Sequence, residues 1–144
     1  LMFKALYLFL TLLAFPAMSS SSEKINLEEY INSFSWNKRV VLLITEESDA
    51  KLIMETDGFF KRNRCENEIR NLEYIRIVGD DVNNYVIADK YDSKYGIWLI
   101  GYDGGDKFYT TDASLLKEIH DIIDKMPIRQ IEMAEQNKKC YWRY

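Results

Sequence analysis

The chain has 144 residues, 47% of them hydrophobic and 14% aromatic, with a formal net charge of −4. That apolar share suffices for one packed core and excludes a disordered chain, while the acidic balance excludes a nucleic-acid binder, which needs a basic stripe against the phosphates. The short basic clusters Lys38-Arg39 and Lys61-Arg62-x-Arg64 are interleaved with acids and read as solvated helix faces.

The N-terminus comes first. Lys4, the apolar stretch Ala5 to Phe15 and the small-residue pattern Ala17-Met18-Ser19 spell a secretory signal peptide over residues 1–19. The stretch is shorter than the roughly 20 residues that span a bilayer, so no stable membrane insertion is expected after cleavage. The address implied is periplasmic or extracellular. A flexible linker is expected at 20–25, a domain at 26–134 and a tail at 135–144.

Within the domain, Asn26 is placed to cap a short helix carrying Leu27, Tyr30, Ile31 and Phe34 at helical spacing. Val40 to Ile44 is an unbroken apolar run suited to a central strand covered on both faces. A helix follows Thr45-Glu46-Glu47-Ser48-Asp49, with Leu52, Ile53, Thr56, Phe59 and Phe60 on one face up to about Arg64. Tyr74 to Val78 reads as a second strand, and Val82, Tyr85, Val86 and Lys90 as a short second helix. Ile97 to Tyr102 and Lys107 to Thr110, separated by Asp103-Gly104-Gly105, form a hairpin. Thr111 or Asp112 is expected to cap a last helix striped with Leu115, Ile119, Ile122, Ile123 and Met126, and Pro127 to end it. The sum is an α/β chain of order β-α-β-α-β-β-α, a mixed sheet with helices on both faces, which is the thioredoxin-like order.

Two motifs then point to a family. Ile100-Gly101-Tyr102-Asp103-Gly104-Gly105-x-Lys107 and Ile123-Asp124-x-Met126-Pro127-Ile128-Arg129-Gln130-x-Glu132-Met133 resemble the signature of the DUDES domain, and Trp36-x-x-Arg39-Val40-Val41-Leu42-Leu43 resembles its opening strand. This peroxiredoxin-related, thioredoxin-like family occurs in small exported bacterial proteins and in extracellular sushi-repeat and matrix proteins. The resemblance implies a fold and an extracytoplasmic setting, and no established reaction. Tyr102, Ile128 and Gln130 depart from the usual lysine, methionine and arginine.

The chemistry expected of such a fold is missing. A redox thiol would sit at the start of the helix after the first strand, where the chain has Thr45-Glu46-Glu47-Ser48 and two carboxylates that oppose a thiolate. No proline precedes the hairpin at Ser93-Lys94-Tyr95-Gly96. His120 reads as a partly exposed surface histidine rather than a general base, and the acidic pairs follow no metal-loop spacing. No catalytic residue, metal or cofactor is therefore expected. Lys107 and Arg129, with Lys125, are candidates for a small basic site that takes a carboxylate or a partner's acidic group. The alternative is structural, with Pro127 ending the helix and Met126 and Ile128 packing against the sheet edge. Cys65 and Cys140 are either a disulfide or two unrelated thiols, since spacing does not report Cα separation. The function expected is an exported, non-catalytic module that binds a protein or small molecule, with a thiol oxidoreductase using Cys65 and Cys140 as the alternative. The aromatic tail Tyr141 to Tyr144 is either a docking segment or a frayed terminus.

Overall fold

The structure is a computed structural model that describes residues 16–17, 20–137 and 139–140. Most of the expected signal segment, and the aromatic tail Tyr141 to Tyr144, lie outside the described residues. Among the described residues no helix is long and apolar enough to cross a membrane.

The elements in chain order are β1 (Ile25–Asn26), α1 (Leu27–Asn32), β2 (Arg39–Thr45), α2 (Ala50–Arg62), α3 (Arg64–Glu68) and β3 (Leu72–Val78). A 3₁₀ turn at Gly79–Asn84 follows, then β4 (Tyr85–Val86), β5 (Gly96–Ile100), β6 (Asp106–Thr110), α4 (Ser114–Asp124) and α5 (Pro127–Glu135). The main sheet is mixed, in the order β3-β2-β5-β6. β2 runs parallel to β3 and antiparallel to β5, and β6 returns antiparallel to β5. Every residue of β2 is buried, as an unbroken apolar run between two covered faces requires.

Alternation along the strands divides the core in two. Val41, Leu43, Ile97 and Leu99 pack under Leu52 and Phe59 of α2 and Leu115, Ile119 and Ile123 of α4. Val40, Leu42, Ile44, Trp98 and Ile100 face Leu27 and Ile31 of α1 and the buried ring of Tyr91. Asn26 caps α1 as expected, its Oδ1 accepting the Glu29 amide at 3.1 Å.

Four expectations change. The second helix is absent: Asp80, Asp81, Asn83 and Asn84 favour a tight turn, and Tyr85 and Val86 pair with Ile25 and Asn26 instead. Strand β1 thus takes the last residue of the expected linker. Pro127 opens a helix rather than only closing one, because its missing N–H costs nothing at the first helical position. The start of α4 is met by Asp112, one of the two caps expected, whose Oδ1 accepts the Ser114 amide at 2.9 Å across Ala113. Finally, Arg39 does not lie on a solvated helix face. It opens β2 and is 1% exposed.

Candidate functional site: a groove backed by a charge network

A buried guanidinium must find partners, and those of Arg39 fix one end of the sheet. Its Nη1 donates to the Arg70 carbonyl at 2.8 Å and to Glu132 Oε2 at 3.1 Å. Its plane lies 4.0 Å over the ring of Tyr102, just beyond β5. The Tyr102 hydroxyl donates to Glu132 Oε1 and accepts from Asn71 Nδ2 at 2.9 Å. Burial, then the Glu132 contact, raises the Tyr102 pKa, so the phenol stays a donor. Behind these, Arg129 donates to Asp124 at 3.1 Å, to the Ile69 carbonyl at 2.9 Å and to Glu132 at 3.4 Å. Arg70 grips Asp124 with two bonds, at 2.9 and 2.7 Å, and holds Glu66 at 2.7 Å. Burial opposes the Asp124 carboxylate, yet the bonds from Arg70 and Arg129 hold its pKa below the ordinary value. Three arginines face three carboxylates, so the network is neutral and rigid rather than an open cationic site.

The hairpin builds the rim beside it. Ile100 pairs with Asp106 and Leu99 with Phe108, leaving Lys107 as the extra residue of a β-bulge, a device that re-aims a side chain. The lysine stem crosses Gly101, where a Cβ would lie 2.5 Å from Lys107 Cε. Its Nζ meets Asp103 Oδ2 at 2.9 Å, and Asp103 Oδ1 accepts the Gly105 amide at 2.9 Å. Those two bonds, the lysine's first, lower the Asp103 pKa. Gly104 takes φ +77° against Asn32.

Between network and rim lies a groove of about 480 Å³. Trp36, Arg39, Tyr102, Lys107 and the Met126-Pro127-Ile128 segment line it. Trp36 is 67% exposed and sits at φ +65°, a left-handed conformation that is costly for a bulky side chain. Its amide is held by the Tyr102 carbonyl at 2.9 Å. An exposed indole fixed in a strained backbone over an apolar groove is arranged for contact.

Residues 30–132 match the family described as Domain of unknown function (DUF4174). The chain belongs to the DUF4174 family. No curated protein and no solved structure matches it.

All the groove residues of this DUF4174 domain fall within the matched stretch; Cys140 lies beyond it. Of the three basic residues singled out by sequence, Lys107 lines the groove, Lys125 is exposed at the end of α4 and does not line it, and Arg129, 4% exposed, stands behind it with its guanidinium engaged by Asp124, Ile69 and Glu132. The arginine that reaches the groove is Arg39. Met126 packs on the core, whereas Ile128 is 39% exposed on the groove wall. His120 is partly exposed, as expected, its Nε2 2.7 Å from Asn67 Oδ1, and burial followed by the nearby Arg70 charge lowers its pKa. Cys65 and Cys140 are bridged, with Cα atoms 5.9 Å apart. At the opposite end of the sheet, Thr45 to Ser48 leads into α2, whose cap is Asp49, its Oδ1 accepting the Leu52 amide at 3.2 Å.

Proposed function

We propose that this DUF4174 domain is an exported, non-catalytic module of thioredoxin-like fold and DUDES kinship. It binds a protein or small-molecule ligand through the groove between Trp36 and Ile128. The strand order β3-β2-β5-β6 with β5 antiparallel supports the fold reading, and the signal-like N-terminus and the bridged cysteines support export. The observation that carries the binding reading is Trp36, which is exposed, strained and aimed over apolar side chains. Such strain persists only where the surroundings impose it, and it concentrates at ligand contacts.

A photoreactive amino acid at Ile128, compared with one at the exposed Met54 on α2, tests this in the exporting cell. A crosslinked species formed from position 128, absent from position 54 and lost with Trp36→Ala, is the expected result. Equal crosslinking from both positions, or none from 128, removes the groove from consideration. The enzymatic alternative is tested separately by insulin reduction. Thiol-dependent turnover abolished by Cys65→Ser would replace the non-catalytic reading.

A further inference from the structure

We propose that the Cys65–Cys140 bridge is a redox latch on α5, and through α5 on the groove. The proposal rests on the binding role given to the groove and concerns its regulation. Helices of this length are held in proteins by a buried apolar face, and α5 has none. Its one buried residue is Arg129, while Ile128, Ile131 and Met133 are exposed. The helix is tied to the domain by polar bonds, from Arg129 to Asp124 and Ile69 and from Glu132 to Arg39 and Tyr102. Beyond it, Cys140 fastens the chain covalently to Cys65 on α3. An element with few apolar contacts belongs to the low-stability end of a fold, and its closure depends on whatever tethers its free end.

The bridge is within reach of a reductant, since Cys65 is exposed. A thiolate of a dithiol reductant attacks Cys65 Sγ, and the S–S electron pair leaves on Cys140 Sγ, which takes up a proton. The second thiol of the reductant then displaces Cys65 as a thiolate, which is protonated in turn. Two electrons and two protons pass to the bridge, and the reductant ends as a disulfide. With the tether gone, the stretch from Lys125 to Cys140 is held only by its polar bonds. Openings in which Pro127 and Ile128 leave the groove wall and Glu132 parts from Arg39 become more frequent.

The entropy of closing a loop of ~15 residues sets the size of the effect, on the order of 100-fold in the opening equilibrium of α5. Hydrogen exchange by mass spectrometry on the whole protein, oxidised and after complete reduction by dithiothreitol, measures it. Amides of α5 are expected to exchange on the order of 100-fold faster after reduction and in Cys140→Ser, and to do so with a shallower dependence on urea than β2 and β5 amides, which exchange through global unfolding. The Trp36 indole resonance, assigned by its loss in Trp36→Phe, is expected to shift at the same time. Unchanged exchange in α5 overturns the latch. An α5 that after reduction still exchanges only with the free energy and urea dependence of β2 and β5 also overturns it, for the bridge would then be only a staple of the whole domain. The crosslinking from position 128 reads the groove independently, so failure of the latch and failure of the binding role give different results.

Discussion

The two ends of the four-stranded sheet are furnished in opposite ways. Where β2 ends, Glu46, Glu47 and Ser48 are exposed, and the ion pairs nearby are exposed too, with Arg76 and Asp57 each 41% accessible at 3.0 Å. Pairs of that kind contribute little and are screened by salt, so this end has charge without a fixed geometry. Where β2 begins, Arg39 is 1% exposed and Arg129 4%, and each is bonded to carboxylates and carbonyls. Here charge has been taken inside and neutralised, and the surface left above it is apolar. The sheet therefore carries its best-formed surface at the second end. Preorganisation, not the amount of charge, separates a site from a solvated edge.

The largest expected effect comes from cutting the buried network. Glu132→Ala leaves the Arg39 charge and the Tyr102 hydroxyl without their shared partner, and the expected cost is about 3–5 kcal/mol in urea unfolding. Removing an exposed pair at the other end, with Arg76→Ala, is expected to cost under about 1 kcal/mol. Equal losses would erase the distinction between the two ends. Next in size is Trp36→Gly. Glycine accepts φ +65° without strain and the lost indole is mostly exposed, so stability is expected to rise by about 1 kcal/mol while crosslinking from position 128 disappears. A loss of stability would make Trp36 a packing residue.

Acid sharpens the same contrast. The Asp124 pKa is lowered in the folded state, so its stabilisation is complete above the unfolded value of about 4 and is lost as pH falls through the folded value. Melting temperatures followed from pH 6 to pH 2.5 should fall less steeply for Asp124→Asn than for the parent, from a lower starting point. His120 works in a different window. Its folded pKa is lowered, so the unfolded chain takes up the proton first, and stability is expected to drop slightly as pH falls from about 6.5. His120→Gln should flatten that slope.

How much of this was legible in the sequence depends on which signal each element leaves. The run Val40 to Ile44 and the hairpin around Gly104 announce themselves, because continuous burial and a positive φ restrict residue choice locally. Arg39 does not, since a Lys-Arg pair looks the same in solvent and in a core, and the partners that distinguish them, Arg70, Tyr102 and Glu132, lie far along the chain. The 3₁₀ turn was hidden because Val82, Tyr85 and Val86 imitate helical spacing while their backbone follows the Asp and Asn residues around them. Helix α5 was hidden because a proline that ends one helix can equally begin the next. The bridge depended on a Cα separation that no spacing encodes. The resemblance gathered Trp36, Arg39, Lys107 and Arg129 into one list, and the fold sorted them into rim, floor and backing.

The smallest expected effect is the most telling for the empty end. Ser48→Cys puts a thiol near the start of α2, the place where a helix dipole would lower its pKa. Asp49 already caps that helix, Glu46 Oε2 lies 3.4 Å from the Ser48 hydroxyl, and Glu47 is adjacent. A thiolate there would face three carboxylates, and their repulsion works against the dipole. Because Cys65 and Cys140 are bridged, alkylation of the oxidised variant reads the new thiol alone. Its iodoacetamide rate at pH 7 should be no faster than that of a free cysteine with a pKa of about 8.5. A tenfold faster rate would mean that the helix start still activates a thiol. In that case the surrounding charge would not be what sets the reactivity of a thiol at this end of the sheet.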